Sequence, residues 1–401
     1  MHNCTLIPYE IKESWGQTIV SIYSDYLGMQ LDFENLSAER KRQLDHISFI
    51  RKRPNIVYAS DMGKSCPNMI DYTDILPFWD QLENIQGDEI DIILETPGGY
   101  AEVVEELVGM IRDRFERVGV IVPGTAKSAG TIFTMAADEI LMGETSSLGP
   151  IDAQIKHNGK IYSAEAFLEG LRKIRDHSES ERRLDIAYIP ILQNISPGEI
   201  QHCENVQAFS RRLVTNWLKS YKFKYWSTHS STGQPVSEGD KEERATQIAT
   251  TLCNHSYWLT HGRSIKIQDL KDMRLIITDY RENPILNEAI MRYYTLLRMS
   301  FDTNIYKIYE TSKTQVYRAL ADIQEKKPLK LAPDHGVIDF KCPKCSGSLK
   351  IHYDFDTPTP PEEGATPFPA SNIIKCPSCG VDIKLLKLRL ELETQKQKRM
   401  I

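Results

Sequence analysis

Between Asp91 and Asp152 the chain has little choice but to fold as a layered α/β unit. The order is Asp91-Ile-Ile-Leu-Glu-Thr-Pro-Gly-Gly99, a stretch of helical spacing, Val118-Gly-Val-Ile-Val-Pro-Gly124, Lys127-Ser-Ala-Gly-Thr131 and Ser147-Leu-Gly-Pro-Ile-Asp152. Ile90 and Ile92 to Leu94 form a nearly unbroken apolar run, the pattern of a strand buried on both faces. Gly98-Gly99 ends it. Val103, Val104, Leu107, Val108 and Ile111 recur at helical spacing, with Glu102, Glu105, Glu106 and Arg112 on the other face. Val118 to Val122 is the next buried strand, so strand, helix and strand make a parallel crossover unit. Ser128 to Ala137 reads as a second helix and Glu139 to Met142 as a third strand, and this repetition argues α/β with layered helices.

The flanks are simpler. Ser37 is a candidate N-cap for a helix to about Arg51, Asn55 to Ala59 reads as a strand, and Asp74 to Ile85 as a helix. Beyond 155 the chain is mainly helical, with Ser196-Pro-Gly-Glu199 as a strong helix start. Ile305 to Ala321 reads as an amphipathic helix.

Ser128 follows a buried strand and opens a helix, where backbone amides are free donors at the positive end of the helix dipole. Gly98 and Gly99 end the neighbouring strand on the same carboxyl edge, where open α/β sheets bind ligands. Glycines there let backbone amides face a cavity. The amides of Gly99 and Ala129, with Gly98 beside them, would make an oxyanion hole worth about 3 kcal/mol per donor in acyl transfer. On the residues alone, ordinary turn and packing roles for Gly-Gly and Ser-Ala-Gly remain open.

Thr96-Pro-Gly-Gly99, Ser128-Ala-Gly-Thr131 and Leu148-Gly-Pro-Ile-Asp152, in this order and spacing, resemble the Clp protease/crotonase superfamily. Within it the chain is similar to serine peptidases of the signal peptide peptidase A type, and most closely resembles the soluble serine dehydrogenase proteinase family. The likeness covers about 85 to 325 and includes His261-Gly-Arg-Ser-Ile265 followed by Leu270 and Leu275. It implies a Clp/crotonase-like βαβ layered fold with helical extensions, Ser128 as nucleophile, peptide or protein substrates, and a homo-oligomer that shields its active sites.

A serine needs a positioned base. Signal peptide peptidase relatives place a lysine roughly fifty residues after the serine, and Lys173 is the only lysine between 168 and 188. Clp proteases place a histidine about twenty-five residues after the serine, where this chain has Asp152. His261 could approach from the later segment. Lys173, His261 and Asp152 therefore all stand as candidate bases.

Cys342-Pro-Lys-Cys345 and Cys376-Pro-Ser-Cys379 have the spacing of a closed, structural four-thiolate zinc site of zinc-ribbon type. A ribbon core would come from Leu349, Ile351, Ile373 and Ile374, and the proline-rich stretch Asp356 to Pro369 reads as an extended loop. Cys4, Cys66, Cys203 and Cys253 read as isolated free thiols. The expected layout is an N-terminal α/β segment 1–84 packing on the core, a peptidase domain 85–325, a linker 326–335, a zinc ribbon 336–384 and a charged helical tail 385–401.

Hydrophobic content of 41% and charged content of 26% suit a globular protein, and a net charge of −6 gives no whole-chain argument for nucleic acid or anionic membranes. The sequence holds no apolar run long enough to span a membrane and no recognisable secretory leader, so a cytoplasmic serine peptidase without a membrane partner is expected. The rival is an inactive scaffold of the same fold that binds protein or nucleic acid through the ribbon. Crotonase-type acyl-CoA chemistry is a weaker third option.

Overall fold

Strand β1 (Asn55–Ser60), β2 (Glu89–Glu95), β3 (Arg117–Val122) and β4 (Glu139–Met142) lie side by side and parallel. Strand β5 (Thr278–Asp279) extends the sheet beyond β4, and β6 (Ile305–Glu310) with β7 (Gln315–Ala319) adds an antiparallel edge beyond β1. The resulting seven-stranded order is β5-β4-β3-β2-β1-β6-β7. The computed structural model describes residues 11–12, 18–19, 21–157, 160–320, 334–355, 357–396 and 400. Most of the expected linker and Cys4 lie outside them. Two compact units divide the chain, Met1–Ala321 and Asp322–Ile401.

Period-two alternation builds the layers of the first unit. Ile56, Tyr58, Ile92, Leu94, Val118, Val120 and Val122 point into one core, against the helices Ile75–Glu83, Ala101–Arg112, Pro197–Trp217 and Glu238–Leu252. Val57, Ala59, Ile93 and Ile121 point into the other, against Phe33–Arg51 and Pro284–Phe301. Both faces are covered, which is why β2 and β3 read as continuous apolar runs. The result is the Clp protease-like α/β fold.

Two local expectations are corrected. The helix expected from Ser37 starts a turn earlier, because the Asp32 side chain accepts from the Asn35 amide and caps it; Ser37 is buried inside the helix and donates to Gln315. Residues 305 to 319 form the β6–β7 hairpin and no helix. Lys307 misleads the pattern. A lysine there mimics the polar face of a helix, yet it is buried in β6 with its ammonium 2.7 Å from Asp74.

In the second unit, His335–Lys341 pairs antiparallel with Ser348–Asp354, and Ile373–Lys375 with Asp382–Lys384. Leu349, Ile351, Tyr353, Phe355, Phe368, Ile383 and Leu385 form its core, joined by Leu392 from the helix Leu386–Lys396. Ile374 packs at the edge of this core, whereas Ile373 is exposed. The end of the proline-rich stretch is stitched down, since the Phe368 amide donates to the His352 carbonyl.

The β6–β7 edge is tied to the 33–51 helix by a buried ion pair. Arg40 Nε and Glu310 Oε1 are 2.9 Å apart with both side chains fully covered, and Ser300, Tyr317 and Tyr293 share in the bonding. Arg40→Ala would strand the Glu310 carboxylate and should lower stability by about 3–5 kcal/mol. The joint change Arg40→Met, Glu310→Leu should cost clearly less. Urea unfolding of the two variants checks both statements.

Candidate functional site

Ser128 sits at a sharp turn between strand and helix. Its backbone takes φ 50° and ψ −115°, a region non-glycine residues seldom occupy, and the helix Ala129–Thr134 starts at the next residue. Such a bend lifts a side chain above the carboxyl edge of the sheet, in the manner of a nucleophile elbow. Gly98 packs directly against it. A Cβ on Gly98 would lie 2.7 Å from Ser128 Cβ and 2.7 Å from the Lys127 carbonyl, and φ +103° itself disfavours any side chain.

The strand holding Gly98 and Gly99 is pinned from the far side. The Ile70 amide donates to the Gly98 carbonyl at 2.7 Å, and the Tyr100 amide donates to the Ile70 carbonyl at 3.0 Å. A Cβ on Gly99 would meet the Ile70 backbone at 2.2 Å, so only glycine fits. Among the described residues neither the Gly99 nor the Ala129 amide has an acceptor. Two unsatisfied donors beside a serine hydroxyl can stabilise a developing oxyanion.

Lys127 turns away from Ser128. Its ammonium donates to the Leu148 carbonyl (3.0 Å), the Arg263 carbonyl (2.9 Å) and Ser264 Oγ (3.0 Å). Burial and the neighbouring Lys266 push it down to about 8. The Thr125–Ala126 segment pairs parallel with Ser147–Leu148, and Leu148 bridges Ile265. The serine turn, the Leu148–Asp152 segment and the 261–265 segment thus form one seam.

At the end of that seam Asp152 gathers two imidazoles. His255 Nδ1 lies 2.9 Å from Asp152 Oδ2, and His261 Nδ1 lies 3.7 Å from the same oxygen. Ser163 donates to the other carboxylate oxygen, and Gln154 Nε2 lies 3.1 Å from Oδ2. Burial would raise the Asp152 carboxyl, but the nearby His261 imidazole, the bond from Ser163 and the bonded His255 outweigh it and hold it below the usual range. Neither imidazole Nε2 has a partner among the described residues.

The three candidate bases therefore separate. Asp152 and His261 come together. Lys173 lies 74% exposed on the Ala164–Ser180 helix, where it pairs with Glu169 at 3.6 Å. Ser128 Oγ has no hydrogen-bond partner among the described residues, so none of the three touches it in this conformation. His255 is the site residue that sequence reasoning missed. It opens a four-residue helix, His255–Trp258, and no spacing from Ser128 marks it. Ser163 caps the Ala164–Ser180 helix, and nothing in the sequence ties it to Asp152.

The cysteines form a second site. The four sulfurs of Cys342, Cys345, Cys376 and Cys379 lie within 4.8 Å of one another and could hold a metal ion. Two matching turns place them. The Ser346 amide donates to the Cys342 carbonyl and the Gly380 amide to the Cys376 carbonyl, with Ser346 at φ 58° and Gly380 at φ 70°.

Residues 39–206 match the family model of the ClpP-like SDH-type serine proteinases. One relative, an uncharacterized protein of Methanocaldococcus jannaschii, is 34% identical over 89 residues, 22% of this chain and 30% of its own length. A second from the same organism, also uncharacterized, is 39% identical over 186 residues, 46% of this chain and 52% of its own. The chain thus spans 30% and 52% of the lengths of the two curated relatives it matches. Among solved structures, a membrane-bound stomatin-specific protease aligns at 16% identity and TM-score 0.32 over 55% of this chain and 79% of that one. ClpP1 from Listeria monocytogenes aligns at 14% and 0.32 over 60% and 96%. Among the described residues no helix is long and apolar enough to cross a membrane.

Glu95 links β2 to the serine loop. Its carboxylate accepts from the Thr125 amide at 2.7 Å and from Tyr294, and burial pushes it up to about 7 against the pull of those bonds and of Arg298. The folded protein thus holds this proton more tightly than the unfolded chain, whose glutamic value is 4.5. Stability should therefore fall as pH rises from about 4.5 to about 7, by about 3 kcal/mol in all. Glu95→Gln should lack that slope and be the more stable protein at pH 8. Urea midpoints at pH 5 and pH 8 check this, and an unchanged slope would assign the titration to another group.

Proposed function

We propose that the chain is a serine peptidase in which Ser128 attacks the scissile carbonyl and His261 is the general base. The observation that carries this reading is Ser128 in its strained turn with the unbonded amides of Gly99 and Ala129 beside it. Ser128 Oγ bonds to the carbonyl carbon, its proton passes to His261 Nε2, and the oxyanion rests on the two amides. The imidazolium then protonates the leaving amine, and water releases the acyl group by the reverse proton path. Asp152 faces His261 Nδ1, His255 bonds the same carboxylate oxygen, and Ser163 holds the other. The open Ser128 Oγ means that His261 closes on it with substrate, as catalytic bonds often tighten only in the complex. Lys173 has no part, because it faces solvent with its own partner.

A fluorophosphonate probe tests the reading. Wild type should be labelled on Ser128, and Ser128→Ala should not be. His261→Ala and Asp152→Asn should slow labelling by about 10²–10⁴, while Lys173→Ala leaves it unchanged. Equal labelling of wild type and Ser128→Ala would refute the peptidase. No labelling at all would favour the scaffold that binds through its ribbon, a reading to which the unpartnered serine hydroxyl lends some support.

The reading extends to a zinc ion held by Cys342, Cys345, Cys376 and Cys379. Sulfurs at about 2.3 Å from a tetrahedral zinc are about 3.8 Å apart. The Cys342–Cys379 and Cys345–Cys376 sulfurs are 3.8 and 3.7 Å apart, so the cluster fits the ion. Four thiolates close the coordination shell, which makes the role structural. Elemental analysis should find one zinc per chain, lost in Cys376→Ser; zinc-free wild type, or unchanged content in the variant, would contradict it. Self-association belongs to the same reading, supported by exposed Leu184, Ile186 and Ile191 on the segment after the Ala164–Ser180 helix.

A further inference from the structure

A cavity of about 910 Å³ opens on the edge of the sheet opposite Ser128. Arg117, Glu139 and Thr278, the first residues of β3, β4 and β5, form its floor, whereas Gly98 and Ser128 follow the far ends of β2 and β3. The cavity is separate from the serine site and shares no lining residue with it.

Its charge is unbalanced. Asp138 and Glu139 line one wall, but both are already taken from outside it. Arg112 holds Asp138 at 2.7 Å and Arg51 holds Glu139 at 2.6 Å. Lys222, Arg244, Lys271 and Arg274 also line the cavity, and among the described residues none of these cations has a carboxylate within ion-pair distance. The innermost is Lys222, whose ammonium has a single acceptor among the described residues, the Asp138 carbonyl at 3.2 Å. A π-helical turn, Leu218–Lys222, places it there, and such turns are frequent at functional sites. Burial pushes Lys222 down to about 8, with Glu139 and Asp138 offsetting only part of that, so an entering anion would raise it again and offset the cost of burying the charge.

The remaining wall is aromatic. Trp226 is fixed by its Nε1 bond to the Thr228 carbonyl (3.2 Å) and by Phe223 and His229, with ring centroids 5.6 and 5.2 Å away. Tyr225 beside it is 63% exposed and lines the same cavity. Cations without carboxylate partners among the described residues, gathered around a flat aromatic wall, match a ligand with three or four negative charges and a planar ring. The volume falls in the range of small-molecule sites.

We propose that this cavity binds a nucleoside di- or triphosphate, with its phosphates among Lys222, Arg244, Lys271 and Arg274 and its base on Tyr225 or Trp226.

Titration calorimetry of the full chain with ATP, tripolyphosphate and a single-stranded oligonucleotide tests it. Saturable one-to-one ATP binding is expected. Arg244→Gln and Arg274→Gln should each weaken it at least about tenfold. Tyr225→Ala paired with Trp226→Ala should weaken ATP but leave tripolyphosphate unchanged. The arginines are surface groups, and matching melting curves establish that the variants fold. No ATP binding at about 1 mM, or unchanged affinity in both arginine variants, would overturn the proposal. Tripolyphosphate binding as tightly as ATP would overturn its nucleoside part, and an oligonucleotide binding more tightly through the same arginines would assign the cavity to nucleic acid instead. None of these readouts depends on peptidase activity.

Discussion

The three hydrogen bonds of the Lys127 ammonium hold the candidate catalytic region together. They tie the serine turn to the Leu148 carbonyl and to Arg263 and Ser264, more than a hundred residues further along the chain. Asp152 lies four residues after Leu148, and His261 two residues before Arg263. One half-buried cation therefore brings the segments carrying Ser128, the Asp152 carboxylate and the His261 imidazole to one seam. A lysine in this role cannot also take a proton from its neighbour Ser128, since all three donors are spent on acceptors pointing the other way. Its depressed pKa is the consequence of partial burial, and at neutral pH it remains mostly protonated.

Strain and close packing complete the arrangement. Backbone like that of Ser128 costs about 1–3 kcal/mol and persists only where surroundings enforce it. Here Gly98 packs against the serine Cβ and Gly99 against Ile70, positions closed to any side chain. The two amides left without acceptors are the return on that strain. The same edge is stiffened below by Glu95, which bonds the Thr125 amide of the serine loop from inside the sheet.

Much of this was legible in short motifs. Apolar runs bounded by glycine marked the strands 89–95 and 117–122, because burial on both faces leaves few polar positions, here Asp91 and Glu95, to confuse the period. The cysteine pairs announced their turns, because the sulfur spacing needs a tight loop. The 305–319 hairpin was not legible. Its Lys307 satisfies a buried carboxylate, Asp74, that lies more than two hundred residues away in sequence. His255 was hidden for the same reason, since its partner Asp152 is brought to it only by the tertiary seam. Lys173 stood out by spacing alone, and spacing cannot tell a buried base from a lysine on a solvated helix face.

The central claim is that Ser128, the amides of Gly99 and Ala129, and the Asp152–His261 pair act as one catalytic unit. Its most direct test is a crystal structure of the protein treated with a peptidyl phosphonate. The account predicts an adduct on Ser128 Oγ, its phosphonyl oxygen about 2.7–3.1 Å from both amide nitrogens, and His261 Nε2 within about 3.2 Å of Oγ. An adduct whose oxygen faces away from those amides, or a different side chain in the place of His261, would contradict it.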